Sequence, residues 1–117
     1  MTDRELLERA AKSAGIGLIA WTKFFDEWKF ACNPCGEPWN PLIDDGDALR
    51  LAVKLGMTVC NEHESAGSVC CTRGDEVFPA VNSGEVGDPP GITENDYAAT
   101  RRAIVRAAAE LAKQEKV

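Results

Sequence analysis

Trp39-Asn40-Pro41-Leu42-Ile43-Asp44-Asp45-Gly46-Asp47 runs directly into Ala48-Leu49-Arg50-Leu51-Ala52-Val53-Lys54-Leu55, and the reading of this stretch decides how the rest of the chain divides. Pro41 fixes its own φ and drives Asn40 toward extended backbone, so no helix passes through Trp39-Asn40. A helix starts at Asp44 or Asp45, where a carboxylate accepts the free N–H groups of the first turn. Asp45 and Asp47 add negative charge at the positive end of the helix dipole. The same acidic cluster could be read as metal-binding or catalytic, but capping accounts for it with fewer assumptions. The helix covers residues 45–55 and ends at Gly56, a natural stop.

On the N-terminal side, Thr2-Asp3-Arg4-Glu5 has the form of a capping box. Leu6, Leu7, Ala10, Ala11 and Ala14 follow at helical spacing, and Gly15 or Gly17 stops that helix. Residues 16–21 are apolar and β-prone. Residues 24–31 carry Phe24, Trp28 and Phe30 at spacings that place them on one strand face. The two segments predict a hairpin turning near Thr22-Lys23. Residues 33–38, Asn-Pro-Cys-Gly-Glu-Pro, read as a loop.

On the C-terminal side, residues 57–60 and 67–73 predict short strands joined by His63-Glu64-Ser65-Ala66. A third is expected over residues 75–81, with Gly74 at the bend and Pro79 marking a sheet edge. Residues 82–91 are poor in apolar side chains and read as a long loop, a place where function could reside. A last helix begins with Thr93 as cap and Asp96 as its partner, and continues to about Glu115. Tyr97, Arg101, Ile104, Val105, Ala108 and Leu111 share one stripe of it; Arg102, Arg106 and Lys113 lie on another. The resulting order, α-β-β-α-β-β-(β)-α, lacks regular βαβ alternation. It predicts an α+β fold with a mainly antiparallel sheet of three to five strands packed with three helices.

The 117 residues allow one domain with a modest core. With 44% hydrophobic and 27% charged residues the composition is that of a globular chain rather than a disordered one. No run of about 18 apolar residues exists to span a membrane. The N-terminus has acids where a secretory signal would have its apolar core, so a cytoplasmic location is the expectation. The net charge of −6 disfavours binding to a phosphate backbone and suits solubility or docking on a basic protein site. Five cysteines is an odd number for a disulfide framework, so each thiol needs its own explanation.

Two blocks are familiar. The Trp39–Leu55 stretch quoted above and Tyr97-Ala98-Ala99-Thr100-Arg101-Arg102-Ala103-Ile104-Val105-Arg106-Ala107-Ala108-Ala109-Glu110 together resemble the phage ABA-sandwich domain family, small proteins of tailed phages and prophages, mostly without an assigned activity. The resemblance implies a helix/sheet/helix sandwich and a phage or prophage origin. It supplies no catalytic residue. The cysteine-rich segments, residues 33–38 and 60–71, lie outside the matching blocks.

The sharpest chemical signal is the pair Cys32 and Cys35, a C-x-x-C, with Cys60 and His63, a C-x-x-H. Together they could supply four ligands to a structural zinc ion, with Cys70 or Cys71 in reserve. Against this, Cys60 lies in an apolar strand where cysteine acts as a small hydrophobe, and the central helix separates the two pairs. A redox role for Cys32 and Cys35 lacks the following helix that lowers a thiol pKa. His63, the only histidine, could pair with a cysteine for nucleophilic catalysis, but it falls in an exposed turn with no oxyanion-hole motif. Arg101, Arg102 and Arg106 could grip phosphates or carboxylates, or could simply pair with Asp44, Asp45, Asp47 or neighbouring glutamates across packed helices. Trp39 reads either as a core plug or as an interface anchor.

These observations predict a non-catalytic binding protein, docking on a host or phage protein as an accessory or counter-defence factor. The first alternative is a binder of a nucleotide-type molecule, through Trp39, Arg101, Arg102 and the loop around Gly84 to Gly91. The second is a zinc-stabilised interaction module. Alanine-rich helix faces would also admit a homodimer.

Overall fold

The computed structural model describes residues 2–24, 27–32, 37–62, 67–82 and 94–114. The elements run in the order α1 (Asp3–Ala14), β1 (Leu18–Phe24), β2 (Glu27–Cys32), β3 (Glu37–Trp39), α2 (Asp45–Lys54), β4 (Thr58–Glu62), β5 (Ser68–Arg73), β6 (Glu76–Val77), β7 (Val81–Asn82) and α3 (Glu94–Gln114). This is the expected α+β class with antiparallel strands. The strands divide over two sheets, β1-β2-β3 and a second with β5 in its middle.

The predicted N-terminal caps of α1 and α2 form. Thr2 accepts from the Glu5 N–H, and Gly15, at φ 70°, closes α1 by donating back to Ala11 and Lys12. Asp44 accepts from the Asp47 N–H at the start of α2. Gly56 takes the left-handed conformation just past its end.

Three strand boundaries differ from the sequence reading. The hairpin does not turn at Thr22-Lys23: these residues pair with Lys29 and Trp28, and β1 continues to Phe24 opposite Glu27. No glycine or asparagine interrupts Thr22-Lys23, so the ladder runs on. Residues 37–38, expected in a loop, belong to β3, where Glu37 and Pro38 pair with Cys32 and Ala31. Proline is tolerated there because β3 is an edge strand. The single strand expected over residues 75–81 is split in two. β6 and β7 both pair with β5, but their registers are offset by one residue across Pro79, which has no N–H to give to a ladder.

α3 is the element around which the rest packs. It touches α1, α2, β4, β5 and β7. Ala99, Ala103, Ile104, Val105, Ala107, Ala108, Ala109, Leu111 and Ala112 are all buried. A helix covered on so many sides belongs in the interior. Its alanines leave room for α1, which brings its own Ala10, Ala11 and Ala14 to the core alongside Leu6 and Leu7. In the first sheet Trp21 pairs with Phe30 and Phe30 with Trp39, a row of aromatics across three strands. Among the described residues no helix is long and apolar enough to cross a membrane.

Candidate functional site

The corner between β3 and α2 is held by one asparagine and one aspartate. The Asn40 N–H donates to Asp47 Oδ2 at 3.0 Å, its side-chain Nδ2 donates to the Trp28 carbonyl at 2.9 Å, and its Oδ1 accepts from the Leu42 N–H at 2.9 Å. The Asn40 carbonyl accepts from the N–H groups of Ile43 and Asp44. Asp47 Oδ1 accepts from Arg50 at 2.7 Å. Asn40 and Asp47 are buried, so these bonds replace the water each group gave up. The aspartates of this stretch therefore begin a helix and tie down a turn. Pro41 is fully buried beneath them.

Arg101 joins this corner to α3. Its Nε donates to the Leu42 carbonyl at 2.8 Å, Nη1 to Asp45 at 2.7 Å and Nη2 to Glu94 at 2.8 Å. Burial works against the charge, but the bonds to Glu94 and Asp45 outweigh it and hold the pKa above the ordinary arginine value. A rigid guanidinium fork suits this three-way grip better than an ammonium would. Of the arginines read as a possible site, Arg101 is buried with all three nitrogens engaged inside the protein. Arg102 is half-buried and donates to Asp3 of α1 at 3.1 Å. Arg106 is exposed. Trp39 is only 7% exposed and lies in the core. The structure thus places the four residues in different environments, and Arg101 alone of them lines a cavity described below.

By clamping α3 to the start of α2, Arg101 fixes the walls of a groove between α2, β4 and α3. The groove encloses about 330 Å³, and its lining includes Asp45, Leu49, Val59, Tyr97, Arg101 and Ile104. Its apolar rim is open to solvent: Leu49 is 64% exposed and Tyr97 is 50% exposed. Val53, one turn beyond Leu49 on α2, is 71% exposed. Asp45 and Glu94 stand at the Arg101 end with most of their side-chain surface in water. Sequence reasoning missed Leu49 and Val53, because they belong to an apolar helix pattern that could have faced the core. It placed Tyr97 on one stripe of α3 with Ile104 and Val105; those two are buried, whereas the Tyr97 ring stands half in solvent.

Further depressions among the described residues include the following two. One, of about 470 Å³, lies between α1 and the first sheet, where Arg4 and Glu8 pair at 3.2 Å. The other, of about 250 Å³, lies beside Trp28, which is stacked on Trp21 with ring centroids 5.9 Å apart. Trp28 is half exposed and was not singled out from sequence, since its spacing from Phe30 matched a strand face.

For the zinc reading, Cys32 ends β2 in the first sheet and Cys60 lies in the middle of β4 in the second. Cys35 and His63 lie outside the described residues, as do Thr93 and the loop around Gly84 to Gly91. Among the described residues, no group of three or more histidine, cysteine or acidic side chains is arranged to hold a metal ion. No family model, curated protein or solved structure matches the chain.

Proposed function

We propose that this chain is a non-catalytic binding protein of phage or prophage origin, acting in the cytoplasm of a bacterial host. It docks on a host protein through the groove between α2, β4 and α3, as an accessory or counter-defence factor. The observation that carries this reading is the apolar rim of Leu49 and Tyr97 held open beside the Arg101 clamp, with exposed Val53 one turn further along α2. Exposed large apolar side chains clustered at a groove favour association, whereas scattered ones need no explanation. The net charge of −6, with Asp45 and Glu94 at one end of the groove, favours a partner segment that offers an apolar side chain next to a cation. The resemblance of the Trp39–Leu55 and Tyr97–Glu110 blocks to phage ABA-sandwich proteins supports the origin.

The test is a pull-down from host lysate with the wild-type chain and with the double variant Leu49→Asp/Tyr97→Ala. Leu49 is largely exposed and Tyr97 half exposed, so each change is expected to shift stability by about 1 kcal/mol or less and to leave the chain folded. The wild type is expected to recover a stoichiometric protein that the double variant loses. Recovery of no such protein, or its equal recovery by both chains, overturns the proposal.

A further inference from the structure

The face of the second sheet turned away from α3 carries two thiols side by side. In β5 the burial alternates: Val69 and Cys71 are buried in the core, while Ser68, Cys70 and Thr72 are half-buried on the other face. The β4–β5 register sets Cys60 directly opposite Cys70, and Val59 opposite Cys71. Directly opposed residues in an antiparallel pair have Cα atoms about 4.5 or 5.5 Å apart, depending on the type of pair. Both values fall inside the span of roughly 4.4–6.8 Å between Cα atoms that a disulfide bridges. Cys60 and Cys70 are both thiols rather than disulfide-bonded, and both are partly open to solvent. Cys71 points the other way. Burial, and then the nearness of Cys70 and Cys60, pushes its thiol up to about 11, which keeps it protonated and unreactive.

We propose that Cys60 and Cys70 are a dithiol modification site that closes into a cross-strand disulfide when the protein meets an oxidant of the peroxide class. One thiolate attacks a peroxide oxygen, the O–O bond breaks, and a sulfenic acid and one water result. The second thiolate attacks the sulfenic sulfur; the S–S bond forms, the S–O bond breaks and a second water leaves. Two electrons pass from the sulfur pair to the peroxide, and both thiol protons end in water. The bond staples the edge strand β4 to β5, and a thiol reductant reverses it. The site does not depend on the groove reading, because it lies on the opposite face of β4 from Val59.

The experiment uses the full chain, reduced and then exposed to hydrogen peroxide, with the remaining thiols alkylated and the chain cleaved after Glu62 and Glu64 to separate the two cysteines. The expected product is a Cys60–Cys70 linked peptide pair, lacking two hydrogens and absent after treatment with dithiothreitol. The oxidised chain is also expected to melt at a higher temperature than the reduced one. Cys70→Ser, at a half-exposed position, should abolish the link, since Cys71 on the other face cannot replace it. Oxidation of Cys60 or Cys70 to sulfinic acid without the link, alkylation of both after other thiols have reacted, or a link that survives Cys70→Ser would each overturn the proposal.

Discussion

Arg101 illustrates how one side chain can be structural and still define a surface. Its guanidinium satisfies the buried Leu42 carbonyl and offsets two carboxylates that themselves face water. Arg101→Met would leave that carbonyl without a donor and Asp45 and Glu94 without their cation. Breaking a fully buried ion pair costs about 3–5 kcal/mol. Because both acids here are largely exposed, about 2–3 kcal/mol is expected, read as a lower midpoint in urea. Asp45→Asn and Glu94→Gln should each cost less than about 1 kcal/mol, as solvent-exposed partners do. An Arg101→Met variant as stable as the wild type would show that the clamp is incidental. The guanidinium was legible in the sequence as a cation on a helix stripe. Asp45 was also readable as a partner across packed helices, but the Leu42 carbonyl was not, since it lies more than fifty positions away and meets Arg101 only when α2 and α3 pack.

The elements owe their ends to short-range chemistry. Asp44 caps α2 through the Asp47 N–H at 2.8 Å, and the cap also fixes the turn that follows β3. Asp44→Ala is expected to lower stability by about 1 kcal/mol, measured by chemical unfolding. Asp44→Ser, which keeps an acceptor at the cap, should recover most of the loss. If alanine and serine behaved alike, capping would not be the role of Asp44. Helix limits were readable because Thr2, Gly15, Asp44 and Gly56 act on their own neighbours. The β5 limits were readable too, but several other strand limits were not. β3 exists because β2 offers it a ladder, and the split between β6 and β7 reflects the fit of residues around Pro79 against β5. Such pairings depend on partners that a local pattern does not contain.

At the scale of the whole molecule, thirteen cations against nineteen acids give a field that would draw in a basic partner. The association rate with the proposed host protein should fall several-fold as salt rises from about 20 to 200 mM, with the dissociation rate changing far less. Stopped-flow or surface-binding kinetics would check this, and a salt-independent association rate would exclude steering by charge. The amino-acid sequence by itself determined the three helices, the caps of α1 and α2 and the α+β class, because spacing and capping act within a few residues. Only the tertiary structure decided that the strands divide into two sheets, that Trp39 is buried while Trp28 is not, and that Leu49 and Tyr97 border an open groove. The reason is that exposure belongs to pairs of elements: an apolar face is covered or bare according to what packs against it, and no stretch of sequence carries that information alone.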